Sequence, residues 1–421
     1  LFRSIEDLDA TFIRFANGVK LTVKSTKYRA DQILVNVRLA GGRLLLPKDR
    51  PILAMNAYVA GGVEAMSALD MDRTLATKIY GVGFGVGDDG YSLAGSTRPA
   101  DLDTEMQVLA AYVTAPGWRP EPFQQNLSAI SDGLKRLDSN PMALFRSKFT
   151  GLLHDGDARW ATATLEDVER AKLDDVKAAI MPALSRAPIE ITVVGDISLE
   201  AATKAVAATF GALPKRDDSM LVPPRPGDVR FPAPTAEPVA LYHQGRADQG
   251  VATIAWPTTD VFADTESPAR RMLADIVQSR LTDQLRVQDG ATYSPQMTAS
   301  ASTTFPGYGY MAAISEIPPD KFPLFFDTVT KTVADLRDKG PTADELERAR
   351  KPAIESLRAG VETNAFWLDG LLGAQMDERK LQLIRDAMPG LERVTAADVQ
   401  RVAQKYLTDD KAWKLVVRPK P

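Results

Sequence analysis

The stretch DVKAAIMPALSRAPIEITVV, residues 175–194, decides the fold, because its pattern returns as DVQRVAQKYLTDDKAWKLVV at residues 398–417. In both copies an Asp-Val pair leads a helical run, a leucine closes it nine residues later, and an apolar strand ends nineteen residues after the aspartate. The second copy begins 223 residues after the first. The same order of elements extends upstream through two long amphipathic helices, which indicates an internal duplication.

Each half of the chain places its strands before its long helices. In the first half, alternating residues predict strands at 12–15, 18–25, 32–39 and 90–96, with a helix near 51–59 between the last two. In the second half they predict strands at 239–242, 250–256 and 308–314, with a helix at 266–286. Strands in runs followed by helices in runs predict an α+β fold, in which each half is an antiparallel sheet with helices on one face.

The length of 421 residues exceeds that of one compact domain. We expect a first α+β unit at residues 1–214 and a second, homologous unit at 239–421. Residues 215–238 between them are rich in proline and polar side chains, which favours a stiff, extended linker.

Composition excludes several classes of protein. The net charge of −4 provides no basic field, so nucleic acid is not an expected partner. The absence of cysteine removes disulfides and thiolate chemistry. No apolar run reaches the ~18 residues that a membrane span needs. The chain starts at Leu1 rather than at Met, so we expect a mature secreted product or a piece of a longer polypeptide.

Most motifs that carry chemistry are missing. The chain has two histidines, His154 and His243, and neither has a second ligand at zinc-binding spacing, so we expect surface residues without a role. The glycines of residues 81–90 alternate and lead into a strand, whereas a phosphate-binding loop leads into a helix. These glycines predict a bulged hairpin, and we expect neither a bound metal nor another cofactor on this chain.

One turn does offer chemistry. In the stretch LTDQLRVQDGATYS, residues 281–294, the guanidinium of Arg286 and the phenol of Tyr293 are seven residues apart, with Gly290 between them. From the residues alone two interpretations stay open. The pair could donate hydrogen bonds at an active site, or Arg286 could simply complement a helix dipole while Gly290 ends the helix and Tyr293 enters the core.

Several motifs resemble the pitrilysin/insulinase-type zinc metallopeptidases, whose active halves carry the inverted zinc motif H-x-x-E-H. The stretches that carry the resemblance extend over nearly the whole chain: Asn17-Gly-Val-Lys-Leu, Val37-Arg-Leu-Ala-Gly-Gly42, Ile191-Thr-Val-Val-Gly-Asp196, Phe210-Gly-Ala-Leu-Pro214, Leu285-Arg286 and Gly290-Ala-Thr-Tyr293. In that family, four homologous α+β units form two halves that close around an unfolded peptide. One half holds zinc, and the other presents an arginine and a tyrosine.

The chain departs from the zinc-bearing half where the zinc motif belongs. The motif positions are occupied by Ala54-Met-Asn-Ala-Tyr58, so both histidines and the general-base glutamate are missing. The resemblance therefore implies the non-zinc, C-terminal half or subunit of such an enzyme, with zinc on a homologous partner half in the same polypeptide or in a separate subunit.

The resemblance implies a function that this chain completes together with its partner. As an accessory half it would enclose a peptide substrate and donate Arg286 and Tyr293 to the substrate carbonyl, and it would be inactive in isolation. The alternative is a non-catalytic peptide-binding or scaffold protein on the same fold. A third possibility, an unrelated enzyme site on this chain, has no motif behind it. Exported bacterial members of the family imply a periplasmic or otherwise extracytoplasmic location.

Overall fold

A computed structural model describes residues 1–51, 54–288 and 295–421, apart from the side chains of residues 287 and 288. Within these ranges the first half of the chain forms a seven-stranded sheet. Its strands are β1 (Phe2–Ile5), β2 (Ala10–Arg14), β3 (Lys20–Ser25), β4 (Ile33–Ala40), β5 (Gly83–Val86), β6 (Gly90–Thr97) and β7 (Ile189–Gly195).

The helices of this half lie between β4 and β6 or follow β6 in the chain. They are α1 (Ala57–Ala60), α2 (Ala68–Thr74), α3 (Leu102–Thr114), α4 (Pro120–Lys135), α5 (Pro141–Leu153), α6 (Leu165–Arg170), α7 (Leu173–Arg186) and α8 (Leu199–Ala208). Apolar residues of α3 and α7, such as Leu109 and Ile180, pack with Val35 and Val37 of β4 in one core. This core holds the helices against one face of the sheet.

The second half builds a five-stranded sheet from the residues that the structure describes. Its strands are β8 (Val239–His243), β9 (Val251–Thr258), β10 (Gln296–Ala301), β11 (Gly309–Glu316) and β12 (Trp413–Pro419). Its helices are α9 (Ser267–Leu281), α10 (Phe322–Lys339), α11 (Ala343–Val361), α12 (Asn364–Leu371), α13 (Arg379–Arg393) and α14 (Ala396–Tyr406). A π-helical segment, Thr282–Gln288, continues α9.

The two sheets have the same topology. The first has the order β1-β2-β3-β7-β4-β6-β5, and the second has β8-β12-β9-β11-β10, which matches the last five strands of the first. The helices that follow also correspond, because α5 and α12 begin 223 residues apart. The predicted α+β class and the two homologous units are confirmed.

Neither sheet is purely antiparallel, which differs from the prediction. In the first sheet β3 pairs with β7 in parallel, and in the second β8 pairs with β12 in parallel, while the other pairs are antiparallel. In each unit the parallel partners are separated by most of the unit's length, so no hairpin joins them. Residue alternation reports which face a side chain occupies but carries no information about strand direction, so the pattern could not predict this pair.

Helices cover both faces of each sheet, rather than the single face that we predicted. Along β9, Ile254 faces the core of its own unit, whereas Val251 and Ala255 pack with Phe145 and Phe149 of α5 from the first half. In return α12 lies across β4 and β7 of the first sheet. Each unit therefore supplies one helix to the other unit's sheet.

Two glycines in the stretches that carry the family resemblance are required by tight backbone contacts. Gly42 follows β4 with φ +68°, and a Cβ there would lie 2.5 Å from the backbone oxygen of Gly87. Gly195 ends β7 with φ +141°, and a Cβ there would lie 2.1 Å from the backbone oxygen of Gln32. No other residue fits these positions without moving a strand end, which explains why glycine stands in both.

The predicted linker at residues 215–238 contains no strand within the described chain. Its Arg216 is buried and donates hydrogen bonds to the backbone oxygens of Ala183, Leu184 and Ala187. These bonds place a cation at the carbonyl end of α7, and they hold the start of the segment to the first unit. The boundaries of the two units at 214 and 239 stay a prediction.

Among the helices described, none combines the length and the apolar character that crossing a lipid bilayer demands.

Candidate functional site

The predicted helix near residues 51–59 is wrong at residue 51 and at residues 54–56. In the described residues of this region only one helical turn forms, Ala57–Ala60, and Ala54 before it has φ +49°. The proline rings of Pro47 and Pro51 each remove a backbone donor, and a left-handed residue interrupts the helical path. The chain at the zinc-motif position is therefore mainly irregular.

Tyr58 occupies the last position of the degenerate zinc motif and is a core residue. It is fully buried, its ring meets Phe84 edge-on with centroids 5.0 Å apart, and its hydroxyl donates to the backbone oxygen of Tyr112 at 2.8 Å. Burial raises the pKa of this phenol far above its ordinary value, with a smaller contribution from Tyr112. A neutral phenol whose hydroxyl is already hydrogen-bonded does not replace a histidine ligand.

The residues that the structure describes contain no group of three or more histidine, cysteine, aspartate or glutamate side chains arranged to hold a metal ion.

Arg286 lies in the π-helical segment that continues α9, and its side chain is exposed. The preceding residue, Leu285, is fully buried in the core of the second unit. Adjacent residues on a helix point in different directions, so the leucine fixes the segment while the arginine extends into solvent. π-Helical turns are rare and are frequent at functional sites.

Polar contacts fix α9 to its neighbours one to two turns before Arg286. The guanidinium of Arg280 donates to Glu345 on α11 at 2.7 Å and to Asp335 on α10 at 2.8 Å. The hydrogen bond from Arg280 lowers the pKa of Glu345 to about 2. The side-chain oxygen of Gln278 accepts the backbone N–H of Met297 on β10 at 3.1 Å. The helix end that bears Arg286 is therefore held to two helices and one strand.

Two open grooves lie along α9 and were not predicted from the sequence. One, of about 410 Å³, lies between α9 and the small residues Ala299 to Ala301 of β10, and the other, of about 560 Å³, lies between α9 and α11. Arg271 and Asp275 line both. Burial raises the pKa of Asp275. The helical spacing of these two side chains was the available signal, because residues four apart share a face.

Tyr293 and Gly290 lie outside the described residues, so their position relative to Arg286 stays a prediction.

The two histidines are buried, which corrects the expectation of surface residues. The ring of His154 stacks on Trp160 at 4.3 Å and lies 4.7 Å from Tyr308, and burial lowers its pKa to about 4. His243 is fully buried, and its Nε2 lies 2.8 Å from the backbone oxygen of Gln249. Both rings are committed to packing and backbone contacts, and His154 packs against Tyr308 of the second unit as well.

The predicted Gly-rich hairpin is confirmed, because β5 and β6 pair antiparallel across residues 87–89.

The known proteins that this chain resembles are peptidases or domains of peptidases. Residues 170–352 match the family described as the peptidase M16 inactive domain. The chloroplastic stromal processing peptidase of Pisum sativum is 21% identical over 96% of this chain, and the match covers 36% of that protein. The chain thus spans about a third of the length of this curated relative.

Solved structures share the fold. A peptidase M16 inactive domain from Pseudomonas fluorescens aligns with a TM-score of 0.80 at 18% identity, covering 98% of this chain and 99% of that one. The periplasmic protease PqqL from Escherichia coli aligns with a TM-score of 0.81 at 17% identity, covering all of this chain and 46% of that one. The zinc-motif positions here hold Ala54 to Tyr58. Residues 170–352 of the chain are thus similar to the inactive, non-zinc domain of the M16 (pitrilysin/insulinase-type) peptidases, and the whole chain shares the fold of such a domain.

Proposed function

We propose that this chain is the accessory half of a zinc metallopeptidase and that it acts only when closed over a zinc-bearing partner half. The observation that carries the proposal is the exposed Arg286 at the end of an anchored helix, in a chain that matches the inactive M16 domain. An exposed guanidinium carried by a helix that is held to its neighbours is suited to meet an anionic group supplied by another molecule.

The proposed role is stabilisation of negative charge on the substrate carbonyl oxygen. The zinc ion of the partner half supplies the Lewis acid and the activated water. Arg286, together with Tyr293, donates hydrogen bonds to the oxygen on which charge develops. Donors that are fixed before the reaction contribute about 2.7–4 kcal/mol each to transition-state stabilisation. The contacts of Arg280 and Gln278 support this role, because they remove the need to order the helix end during the reaction.

The grooves beside α9 support peptide binding in the same half. Arg271, Asp275, Gln278 and Thr282 recur every three or four residues, so they form one face of α9 that leads toward the segment of Arg286. In the described chain β10 pairs only with β11, so its other edge offers backbone groups to an extended peptide. A peptide on this edge would lie beside the polar face of the helix.

Replacement of Arg286 by alanine tests the catalytic role. In the enzyme assembled from both halves, we expect Arg286→Ala to lower kcat/KM for an unstructured peptide by roughly 10²-fold or more, since one oxyanion donor is lost. The matched control is Arg358→Ala, which removes another exposed arginine near a helix end, in the last turn of α11. A loss below threefold for Arg286→Ala, or an equal loss for both variants, would contradict the role.

The same edge strand favours a second candidate, a peptide-binding or scaffold protein without a part in catalysis. Two measurements distinguish the two functions: peptide binding by the isolated chain, and peptide turnover by the assembly of both halves. If the chain binds unfolded peptides but Arg286→Ala leaves turnover by the assembly unchanged, the scaffold function replaces the catalytic one.

We place the protein outside the cytoplasm. The support is the resemblance to a protease described as periplasmic in Escherichia coli. Fractionation of the native cells tests this location, and recovery of the protein with cytoplasmic markers would contradict it.

A further inference from the structure

A cavity lies in the first unit, and Arg286 is not among its lining residues. Its volume is about 1130 Å³, and it is bounded by the outward face of α7, by residues 45–51, by Met55 and by Tyr91. We call it the α7 cavity. Its α7 wall consists of small or cyclic apolar side chains: Ala178, Ala179, Pro182 and Ala183. Charged residues of both signs stand at its mouth, among them Arg50, Lys172 and Asp175, so no single charge dominates.

The internal repeat shows what occupies the same place in the second unit. There the helix that corresponds to α7 is α14, and the first turns of α9 pack against it. Residues just before α9 are bound to α14, because Lys405 pairs with Glu266 at 2.7 Å and the hydroxyl of Tyr406 donates to Asp264 at 3.2 Å. Met272 of α9 is fully buried in the same core as Val402 of α14.

Two differences open the cavity in the first unit. Among the residues described in the region that corresponds to α9, only Ala57–Ala60 form an α-helix, the single turn α1. In addition, α7 has Ala178, Pro182 and Ala183 at the positions that lie 223 residues before Arg401, Lys405 and Tyr406 of α14. The side chains that hold the neighbouring helix in the second unit are therefore absent from α7, and small apolar residues of α7 line the cavity instead.

We infer that the α7 cavity binds the apolar face of a short amphipathic helix from a partner protein. The repeat supplies the argument for the occupant, since a helix fills the equivalent position where the two-helix packing is intact. The α9 of a second copy is not available for this, because its aliphatic face is buried in its own core. The inference does not rest on the role of Arg286.

Helix-in-groove binding suits this surface. An amphipathic helix inserts aliphatic side chains at positions spaced three and four apart, and these need an apolar trough with small residues at its base. The α7 wall provides that base, and Met55 provides part of the opposite side. Short helices are marginal in water, so the segment would fold as it binds.

The probe is a capped synthetic peptide with the sequence of residues 267–281, which is α9 itself. We expect saturable binding to the full chain by fluorescence anisotropy, with a helical signal gained on binding. A peptide carrying Asp275→Pro keeps every aliphatic residue but cannot stay helical. We expect it to bind at least tenfold more weakly, and equal binding of the two peptides would overturn the assignment of a helix.

Two variants of the protein test the location. Ala179→Phe fills the cavity, and Ala178→Trp covers it from an exposed position that folding tolerates; each is expected to weaken peptide binding at least tenfold. Ala207→Phe on the exposed side of α8 is the matched control, and its affinity is expected to stay within twofold of the unmodified chain. Absence of saturable binding by the unmodified chain, or unchanged affinity in both cavity variants, would overturn the proposal.

Discussion

At the scale of single residues, the molecule contains carboxylates in two opposite environments. Glu345 is bound by Arg280 and has its pKa lowered to about 2. Glu105 on α3 is fully buried, accepts only the backbone N–H of Gly81 at 2.9 Å through one oxygen, and leaves the other oxygen without a partner. Desolvation raises the pKa of Glu105 to about 7. One group therefore stabilises the fold when it is ionised, and the other when it is protonated.

Because the pKa of Glu105 is raised in the folded state, we expect the chain to lose stability as pH rises. Its pKa is higher in the folded state than in the unfolded state, so its stabilising contribution is complete below about pH 4.5 and is lost as pH rises through about 7. Between pH 5 and pH 8, we expect the unfolding free energy of Glu105→Gln to fall by about 2 kcal/mol less than that of the original chain. Urea unfolding at several pH values measures it. An unchanged slope in the variant would rule out Glu105 as the source.

The lowered pKa of Glu345 has the opposite effect: we expect stability to fall as pH decreases, at a lower pH than for Glu105. The folded pKa of Glu345 is depressed, so its contribution is complete above about pH 4.5 and is lost as pH falls toward about 2. We expect Arg280→Ala to lower stability at pH 7 by about 1–2 kcal/mol and to reduce the further loss below pH 4.5. Acid titration followed by circular dichroism tests this. A variant as acid-sensitive as the original chain would contradict the assignment.

At the scale of elements, α5 packs on the sheet of the second unit and α12 on the sheet of the first. The rings of Phe145 and Phe149 on α5 stack with centroids 4.6 Å apart, and Phe149 meets Tyr310 of β11 edge-on at 6.3 Å. On the other sheet, the backbone N–H of Gln375, just after α12, donates to Glu190 of β7 at 3.1 Å. One exchanged helix is thus held mainly by apolar contacts, and the other partly by buried polar ones.

Truncation of the α5 contact is expected to destabilise the whole chain. Phe149→Ala removes a buried ring and leaves a cavity, so we expect a loss of about 3 kcal/mol of unfolding free energy. Phe2→Ala is the control, since that side chain is 61% exposed and its loss should stay within about 0.5 kcal/mol. Denaturant melts of both variants measure the difference. Similar values for the two would show that α5 contributes little to the second sheet.

At the scale of the whole molecule, neither unit can cover its own sheet. The second sheet depends on a helix from residues 141–153, and the first depends on a helix from residues 364–371. A unit expressed without the other exposes an apolar or polar sheet face that its own sequence does not cover. We therefore expect the two units to fold as one.

Separation of the units tests this dependence. We expect residues 1–214 and 239–421 to aggregate or stay partly folded when each is expressed alone, and to recover cooperative unfolding when they are expressed together. Size-exclusion chromatography and thermal melts distinguish the outcomes. A monomeric, cooperatively folded second unit on its own would contradict mutual dependence.

The sequence alone predicted most of the strands and the duplication, because these depend on local alternation and spacing, and the resemblance to a known family added the loss of the zinc ligands. Most predicted strands, such as those at 32–39 and 250–256, lie within a residue or two of β4 and β9. The helix near residues 51–59 failed because a helical pattern of apolar residues does not reveal a left-handed residue such as Ala54. The grooves beside α9 could not be predicted, since they depend on the distance between elements remote in sequence.

By itself, then, the sequence determined the fold class, the repeated unit and the chemistry that the zinc-motif position cannot perform. Only the tertiary structure decided which helix covers which sheet, how the parallel strands pair, that both histidines are buried, and where the α7 cavity opens. The physical reason is that periodicity is a property of neighbouring residues, whereas burial depends on which distant apolar surface each element meets.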